Sequence, residues 1–270
     1  MNRPSLVFLH IPKCGGTSLT RALHSAYPAD RIFTDHGNLT PELFSAHGDM
    51  LDRPALFHGH AAHGTAAYFE GRATTLTLLR RPENQAVSNY LYIQRDPCSP
   101  WHEAALRLDL STFFREFWFL TAFQTISISV PLTSGSFASR EEFFAALPAI
   151  HAALERTDIV GCAETMEDVI ARLAPILPSP CEMPGQLNRA ADFGVCARRI
   201  AMLRWEYREL REDPDLAEPI AAEEATYRLA RTQAARGAAP LWRMLLARAA
   251  GAVAYEKARA SGPDAWLGHR

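Results

Sequence analysis

Apolar and polar residues occur along the chain in blocks that predict strands followed by helices. Residues 6–11 form a short apolar run that stops at Pro12, which is typical of a buried parallel strand. Residues 17–27 then place apolar side chains at helical spacing, which predicts a helix with one buried face. The chain is therefore expected to open with a strand, a glycine-rich turn and a helix.

Further apolar segments have the length of buried strands. They lie at residues 55–57, 75–79 and 158–161. Helical patterns separate them, and the last third of the chain is helical and rich in Ala, Arg and Glu. Strands that alternate with helices pair in parallel, so the sequence predicts an α/β fold with a central parallel sheet that is flanked by helices on both faces.

Local signals predict where three helices begin. Pro82 suits a first helical turn and predicts a helix to about residue 93. Ser139 with Glu142 predicts a capping box for a helix to about residue 156. Thr165 with Asp168 predicts a similar cap for a helix to about residue 177.

Composition narrows the class of protein. The 270 residues suit one large domain, which we assign to residues 1–250, followed by a loosely ordered tail at 251–270. The net charge of −2 gives no overall attraction to nucleic acid or to an anionic membrane, so any anion site must be local. We expect no membrane span, and the five scattered cysteines favour reduced thiols and a cytoplasmic location.

The first turn contains an unusual cation. Of the 28 basic residues only Lys13 and Lys257 are lysines, and Lys13 directly precedes the glycines of the turn. A glycine-rich turn between a strand and a helix gathers backbone N–H groups at the positive end of the helix, which suits a phosphate or sulfate. The nucleotide P-loop places its lysine after the glycines, and no G-K-[ST] occurs in this chain, which disfavours an ordinary ATP or GTP site.

The stretch H-I-P-K-C-G-G-T-S-L, residues 10–19, resembles the 5′-phosphosulfate loop of sulfotransferases that use 3′-phosphoadenosine 5′-phosphosulfate (PAPS). The similar group includes heparan sulfate 2-O-sulfotransferase and bacterial members, which read H-I-P-K-T-G-G-T-S. Cys14 stands where threonine is usual. The resemblance implies a P-loop-like three-layer fold and a loop that holds the 5′-phosphate. The loop residues are Lys13, Cys14, Gly15, Gly16, Thr17 and Ser18.

A second stretch, T-L-L-R-R-P-E-N-Q-A-V-S-N-Y-L-Y at residues 77–92, resembles the R-D-P-x-x-R-x-x-S-x-Y-x-Y element of the same family. The resemblance implies that Arg80 and Ser88 hold the 3′-phosphate of the nucleotide. Arg81 replaces the usual aspartate, which often braces the loop, and Gln85 replaces a frequent arginine. Taken alone, this stretch also suits a helix start with surface arginines.

The histidine-rich stretch F-H-G-H-A-A-H-G, residues 57–64, resembles the H-G-H element of the family. The second histidine is the catalytic base there, and it corresponds to His60. A neutral imidazole can accept a proton from a hydroxyl near pH 7. One alternative is a loop with exposed histidines, and another is a metal site formed by His58, His60 and His63. Because no aspartate completes a metal site in this element, we rank the base first and expect no metal.

Weaker similarities extend the resemblance over about residues 5–232. They lie at residues 123–127, 158–164, 187–189 and 224–230. The resemblance implies a transferase that moves the sulfuryl group of PAPS to a hydroxyl or amine acceptor and releases 3′-phosphoadenosine 5′-phosphate (PAP). His60 would act as base and Lys13 would stabilise the leaving oxygen. The acceptor would be a carbohydrate, lipid, small molecule or protein.

Two other classes of function are kept open. One is a nucleotide-dependent kinase or hydrolase that uses a variant P-loop. The other is a sulfotransferase fold that has lost catalysis and serves as a binding module. The segment F-Q-T-I-S at residues 123–127 keeps the glutamine of the family element N-x-Q-T-R but lacks its asparagine and arginine, which leaves the second alternative open.

Overall fold

In a computed structural model, the chain is described at residues 4–35, 53–60, 73–133, 137–181 and 194–236. These residues contain a five-stranded sheet in the order β2-β3-β1-β4-β5, and every neighbouring pair is parallel. The strands are β1 (Ser5–Leu9), β2 (Ile32–Asp35), β3 (Leu56–Gly59), β4 (Ala73–Leu79) and β5 (Ile159–Cys162). The predicted α/β architecture is confirmed.

Helices flank this sheet and build a second layer of packing beside it. They are α1 (Gly16–Ala26), α2 (Pro82–Ile93), α3 (His102–Arg107), α4 (Leu110–Glu116), α5 (Phe123–Thr133), α6 (Arg140–Arg156), α7 (Met166–Leu173), α8 (Ala197–Glu209) and α9 (Ala217–Arg236). Short 3₁₀ segments lie at Ala29–Arg31, Trp118–Leu120, Ala163–Thr165 and Leu210–Glu212. Among the described residues, no helix combines the length and the apolarity that crossing a membrane requires.

The helix starts agree only in part with the predicted caps. Pro82 lies in the first turn of α2, as predicted. Ser139 caps α6 by accepting a hydrogen bond from the Glu142 N–H at 3.2 Å. Thr165 directly precedes α7, as predicted, but its side chain makes no capping hydrogen bond, and α7 ends at Leu173 instead of continuing to 177.

Two apolar clusters hold the layers together. The first covers the sheet, where Leu6, Phe8 and Leu56 are completely buried by the surrounding helices. The second joins α2, α4 and α8 through aromatic side chains such as Phe113 and Tyr207, which are also fully buried. Burying one such side chain contributes about 1.5–3 kcal/mol, so these clusters fix the strand ends in place.

The register of the sheet brings the carboxyl ends of its strands to one edge. Leu9 lies opposite Gly59 on one side and Thr77 on the other, and Leu79 lies opposite Cys162. In parallel sheets, ligands bind in the crevice beyond these ends, because the loops that follow the strands meet there. The assignment of one domain to residues 1–250 stays a prediction, and the proposed tail lies outside the described residues.

Candidate functional site

The segments that follow the central strands carry the polar residues of the candidate site. Lys13 follows β1, His60 follows β3, Arg80 follows β4 and Glu164 follows β5. The Arg80 guanidinium donates a hydrogen bond from Nη1 to the Lys13 carbonyl at 3.2 Å. His60 Nδ1 donates to the His10 carbonyl at 2.7 Å, so His60 is attached to the residue directly after β1 that leads into the first loop.

The first loop has the backbone shape of an anion cradle. Lys13 has a φ of 66° and Gly15 a φ of 83°, both in the left-handed region, which is costly for lysine. A Cβ atom at Gly16 would overlap the His10 ring, so only glycine fits there. Gly15 is the residue that precedes α1 and has no side chain to cap it. The N–H groups of Ser18 and Leu19 donate to the Gly15 carbonyl at 3.1 and 3.3 Å, so the N–H groups that precede them at the positive end of α1 are the ones suited to a ligand.

Lys13 is a cation in an unfavourable environment. Its ammonium lies 4.1 Å from the centre of the Tyr92 ring, which provides a cation–π contact. Burial, together with the nearby Arg95 and Arg80 charges, lowers the pKa of Lys13 to about 8. A bound anion would reverse this effect by supplying the missing negative charge.

Arg80, in the loop after β4, also carries a charge that its surroundings disfavour. Burial lowers the pKa of Arg80, and the charge of Arg204 on α8 adds to that effect, opposed by Glu164. Helix α8 packs on α2, which begins just after Arg80 and carries Ser88 in its second turn. The Arg204 Nε atom is buried and has no hydrogen-bond partner within the described part of the chain. Sequence reasoning missed Arg204, because an arginine in an Arg-rich helix carries no distinguishing local pattern.

The hydrogen bond of His60 fixes which of its ring nitrogens can accept a proton. A backbone carbonyl can only accept, so the 2.7 Å contact to the His10 oxygen requires that His60 Nδ1 carries a hydrogen. In the neutral ring, Nε2 then presents a lone pair, and the side chain is exposed. Burial lowers the pKa of His10 to about 4, with His60, His58 and Lys13 acting in the same direction. His10 is therefore neutral and serves as the packing partner of Gly16.

His58 has a different environment and different hydrogen-bond partners from His60. It is buried, and its Nε2 atom lies 2.9 Å from His24 Nε2 and 3.0 Å from Thr34 Oγ1. Among the described residues, no group of three His, Cys, Asp or Glu side chains is placed to hold a metal ion. His63, which the metal alternative needs, lies outside them, so that alternative is not tested.

A single buried amide joins the two halves of the site. Gln124 Oε1 accepts hydrogen bonds from Cys14 Sγ at 3.1 Å and from the Arg80 N–H at 2.7 Å. Gln124 Nε2 donates to the Arg80 carbonyl at 3.0 Å and to Glu223 Oε1 at 2.7 Å. Burial raises the pKa of Cys14 well above its usual value, so the thiol is neutral and can donate.

Glu223 fixes this amide from the opposite side. Its carboxylate is 1% exposed and accepts from the N–H groups of Gln124 at 3.1 Å and Thr125 at 3.0 Å, at the start of α5. The Thr125 hydroxyl donates to the same carboxylate at 2.6 Å. Burial raises the pKa of Glu223, and the hydrogen bonds from Thr125 and Gln124 oppose that rise. The carboxylate lies where the positive end of α5 also favours it.

Other residues brace the loops where the chain departs from the family pattern. Glu164 Oε1 accepts from the Arg81 N–H at 3.0 Å, and Glu164 Oε2 accepts from the Tyr227 hydroxyl at 3.1 Å. Gln85 Nε2 donates to the Pro12 carbonyl at 3.4 Å. The substitutions at positions 81 and 85 therefore leave both loops tied to neighbouring elements.

Comparison with known proteins adds no relative. No protein-family model, no curated protein and no solved structure matches this chain.

The environment of Lys13 predicts an unusual titration. In a Lys257→Arg variant, Lys13 is the only lysine, so its reaction with an amine-acylating reagent can be followed by peptide mass mapping. We expect half-maximal reactivity near pH 8, because only the neutral amine reacts and the pKa is lowered to about 8. An ordinary midpoint, near pH 10.4, would contradict the proposed burial and charge crowding.

Proposed function

We propose that this chain is a PAPS-dependent sulfotransferase with a P-loop-like three-layer fold. The observation that carries the proposal is the contact between the two loops, in which Arg80 Nη1 donates to the Lys13 carbonyl at 3.2 Å. It joins a cradle suited to a 5′-phosphosulfate with an arginine suited to a 3′-phosphate. His60 lies on the neighbouring strand end with an accepting nitrogen.

The charges of the site support an anionic ligand with more than one phosphate. Arg95 and Arg80 disfavour the charge of Lys13, and Arg204 disfavours that of Arg80, although the whole chain has a net charge of −2. Within the described residues, the ion pairs join other side chains and include neither Lys13 nor Arg80. Charge-assisted hydrogen bonds to phosphate would satisfy these cations at both ends of a 3′,5′-bisphosphate.

The transfer itself requires one bond to form and one to break. The acceptor oxygen forms a bond to sulfur while the bond between sulfur and the 5′-phosphate oxygen breaks. The acceptor proton passes to His60 Nε2, and the electron pair of the broken bond stays on the phosphate oxygen of PAP. Lys13 would stabilise that oxygen, and the amides of residues 15–17 would hold the 5′-phosphate, as positioned cations and dipoles do in phosphoryl transfer.

Calorimetric titration with PAP, AMP and Mg-ATP tests the proposal. We expect micromolar binding of PAP and much weaker binding of AMP, because only PAP occupies both anion sites. Equal affinity for PAP and AMP would overturn the assignment. Magnesium-dependent ATP binding would instead favour a kinase or hydrolase, and PAP binding without turnover on any acceptor would favour a binding module.

The affinity for PAP should decrease as the solution becomes alkaline. The free protein loses the Lys13 charge as the pH rises through about 8, whereas a bound anion favours the charged form. Between pH 8 and 9.5 we therefore expect the affinity to fall by up to about tenfold per pH unit. A Lys13→Met variant should bind more weakly at pH 7 and lose this dependence. The same slope in the variant would exclude Lys13 as its cause.

Replacement of the proposed base should separate turnover from binding. In His60→Ala we expect turnover to fall by roughly a hundred-fold to ten-thousand-fold, the range for a positioned base. PAP affinity should change far less than turnover, because the hydrogen bond that the variant loses is to the His10 carbonyl, which lies outside the loop residues 13–18. Transfer of ³⁵S from labelled PAPS to an acceptor found by screening gives the rate. A variant as active as the parent would rule out His60 as the base.

A further inference from the structure

Gln124 contacts the loop after β1 and the loop after β4, beyond the residues at which these two strands pair with each other. The register between β1 and β4 ends with Leu9 opposite Thr77, and β4 continues beside β5 to Leu79 before the Arg80 loop begins. Gln124 bonds both the N–H and the carbonyl of Arg80, at 2.7 and 3.0 Å, as a neighbouring strand would. It also accepts from Cys14 in the other loop at 3.1 Å.

The position of Gln124 is fully determined by its surroundings. The side chain is 0% exposed, so it has no contact with water. Its oxygen accepts from Cys14 and Arg80, and its nitrogen donates to Arg80 and Glu223, which uses both lone pairs and both N–H groups. A side chain without an amide would leave the N–H and carbonyl of Arg80 without these two hydrogen bonds.

We propose that Gln124 is a positioning residue that couples the two anion loops and so sets the selectivity for a 3′,5′-bisphosphate over a 5′-monophosphate. This inference rests on the proposed function. A nucleotide with two phosphates gains from its second phosphate only if that phosphate reaches a site held at the correct distance. Gln124 holds that distance, because the same oxygen atom bonds one residue from each loop.

The coupling predicts a specific loss in a Gln124→Leu variant, which keeps a similar volume but no polar group. We expect its PAP affinity to fall by at least about tenfold, whereas its AMP affinity changes by less than about threefold. The ratio of the two dissociation constants, measured by calorimetry, is the main readout. A double-mutant cycle provides a second readout. We expect Arg80→Gln to lower PAP affinity much less in the Gln124→Leu background than in the parent.

A matched control separates positioning from general destabilisation. Thr125→Val removes a hydroxyl that bonds Glu223 at 2.6 Å in the same buried network, but it leaves every contact of Gln124 with the loops. This control should lower the melting temperature without changing the ratio of PAP to AMP affinity. Cys14→Ala removes only one arm of the contact and should reduce the ratio by a smaller factor, which Cys14→Ser should restore.

The outcomes distinguish this inference from the proposed function. A parent protein with no preference for PAP overturns both. A parent with that preference, together with a Gln124→Leu variant that keeps it, overturns the positioning role alone. If Gln124→Leu does not fold, the two Cys14 variants decide, and an unchanged ratio in Cys14→Ala then overturns the inference.

Discussion

The buried carboxylate of Glu223 is the interaction on which the arrangement of the site depends. A carboxylate that is 1% exposed must replace its lost water with hydrogen bonds, and Glu223 obtains them from the first residues of α5. That requirement fixes the start of α5 against α9 and orients Gln124 toward the two loops. Moving α5 or α9 would leave the buried Glu223 carboxylate without hydrogen bonds. The packing of these two helices therefore also fixes the position of Gln124 and of the loops that it contacts.

The site itself is built with unfavourable electrostatics. Lys13 adopts a left-handed backbone conformation that lysine rarely takes, and burial together with neighbouring arginines disfavours its charge. Arg80 is disfavoured in the same way by burial and by Arg204. Cations whose charge is disfavoured in this way are typical of functional sites. Lys13 and Arg80 therefore both support the proposal of an anion site. The Tyr92 ring provides Lys13 with a weaker substitute in the free protein.

Much of the fold could be predicted because its signals are local. The apolar run before Pro12, the glycine-rich turn and Pro82 each report on a few neighbouring residues, and β1, α1 and α2 were predicted within about two residues of their ends. Strand β2 was missed, since a four-residue edge strand has too few positions to show a pattern. At Thr165 the predicted helix start is correct but the capping hydrogen bond is absent, because a capping sequence does not ensure that the side chain bonds the first turn.

The sequence could not predict contacts between residues that lie far apart in the chain. Gln124 lies 110 positions from Cys14 and Glu223 lies 99 from Gln124, so no local pattern could join them. The departures at Cys14, Arg81 and Gln85 have the same explanation. Each loop keeps its position through a partner elsewhere in the chain, as Glu164 does for the Arg81 N–H. Cys14, Arg81 and Gln85 each have a partner on another element, so the positions of these loops depend on contacts that their own local sequence does not reveal.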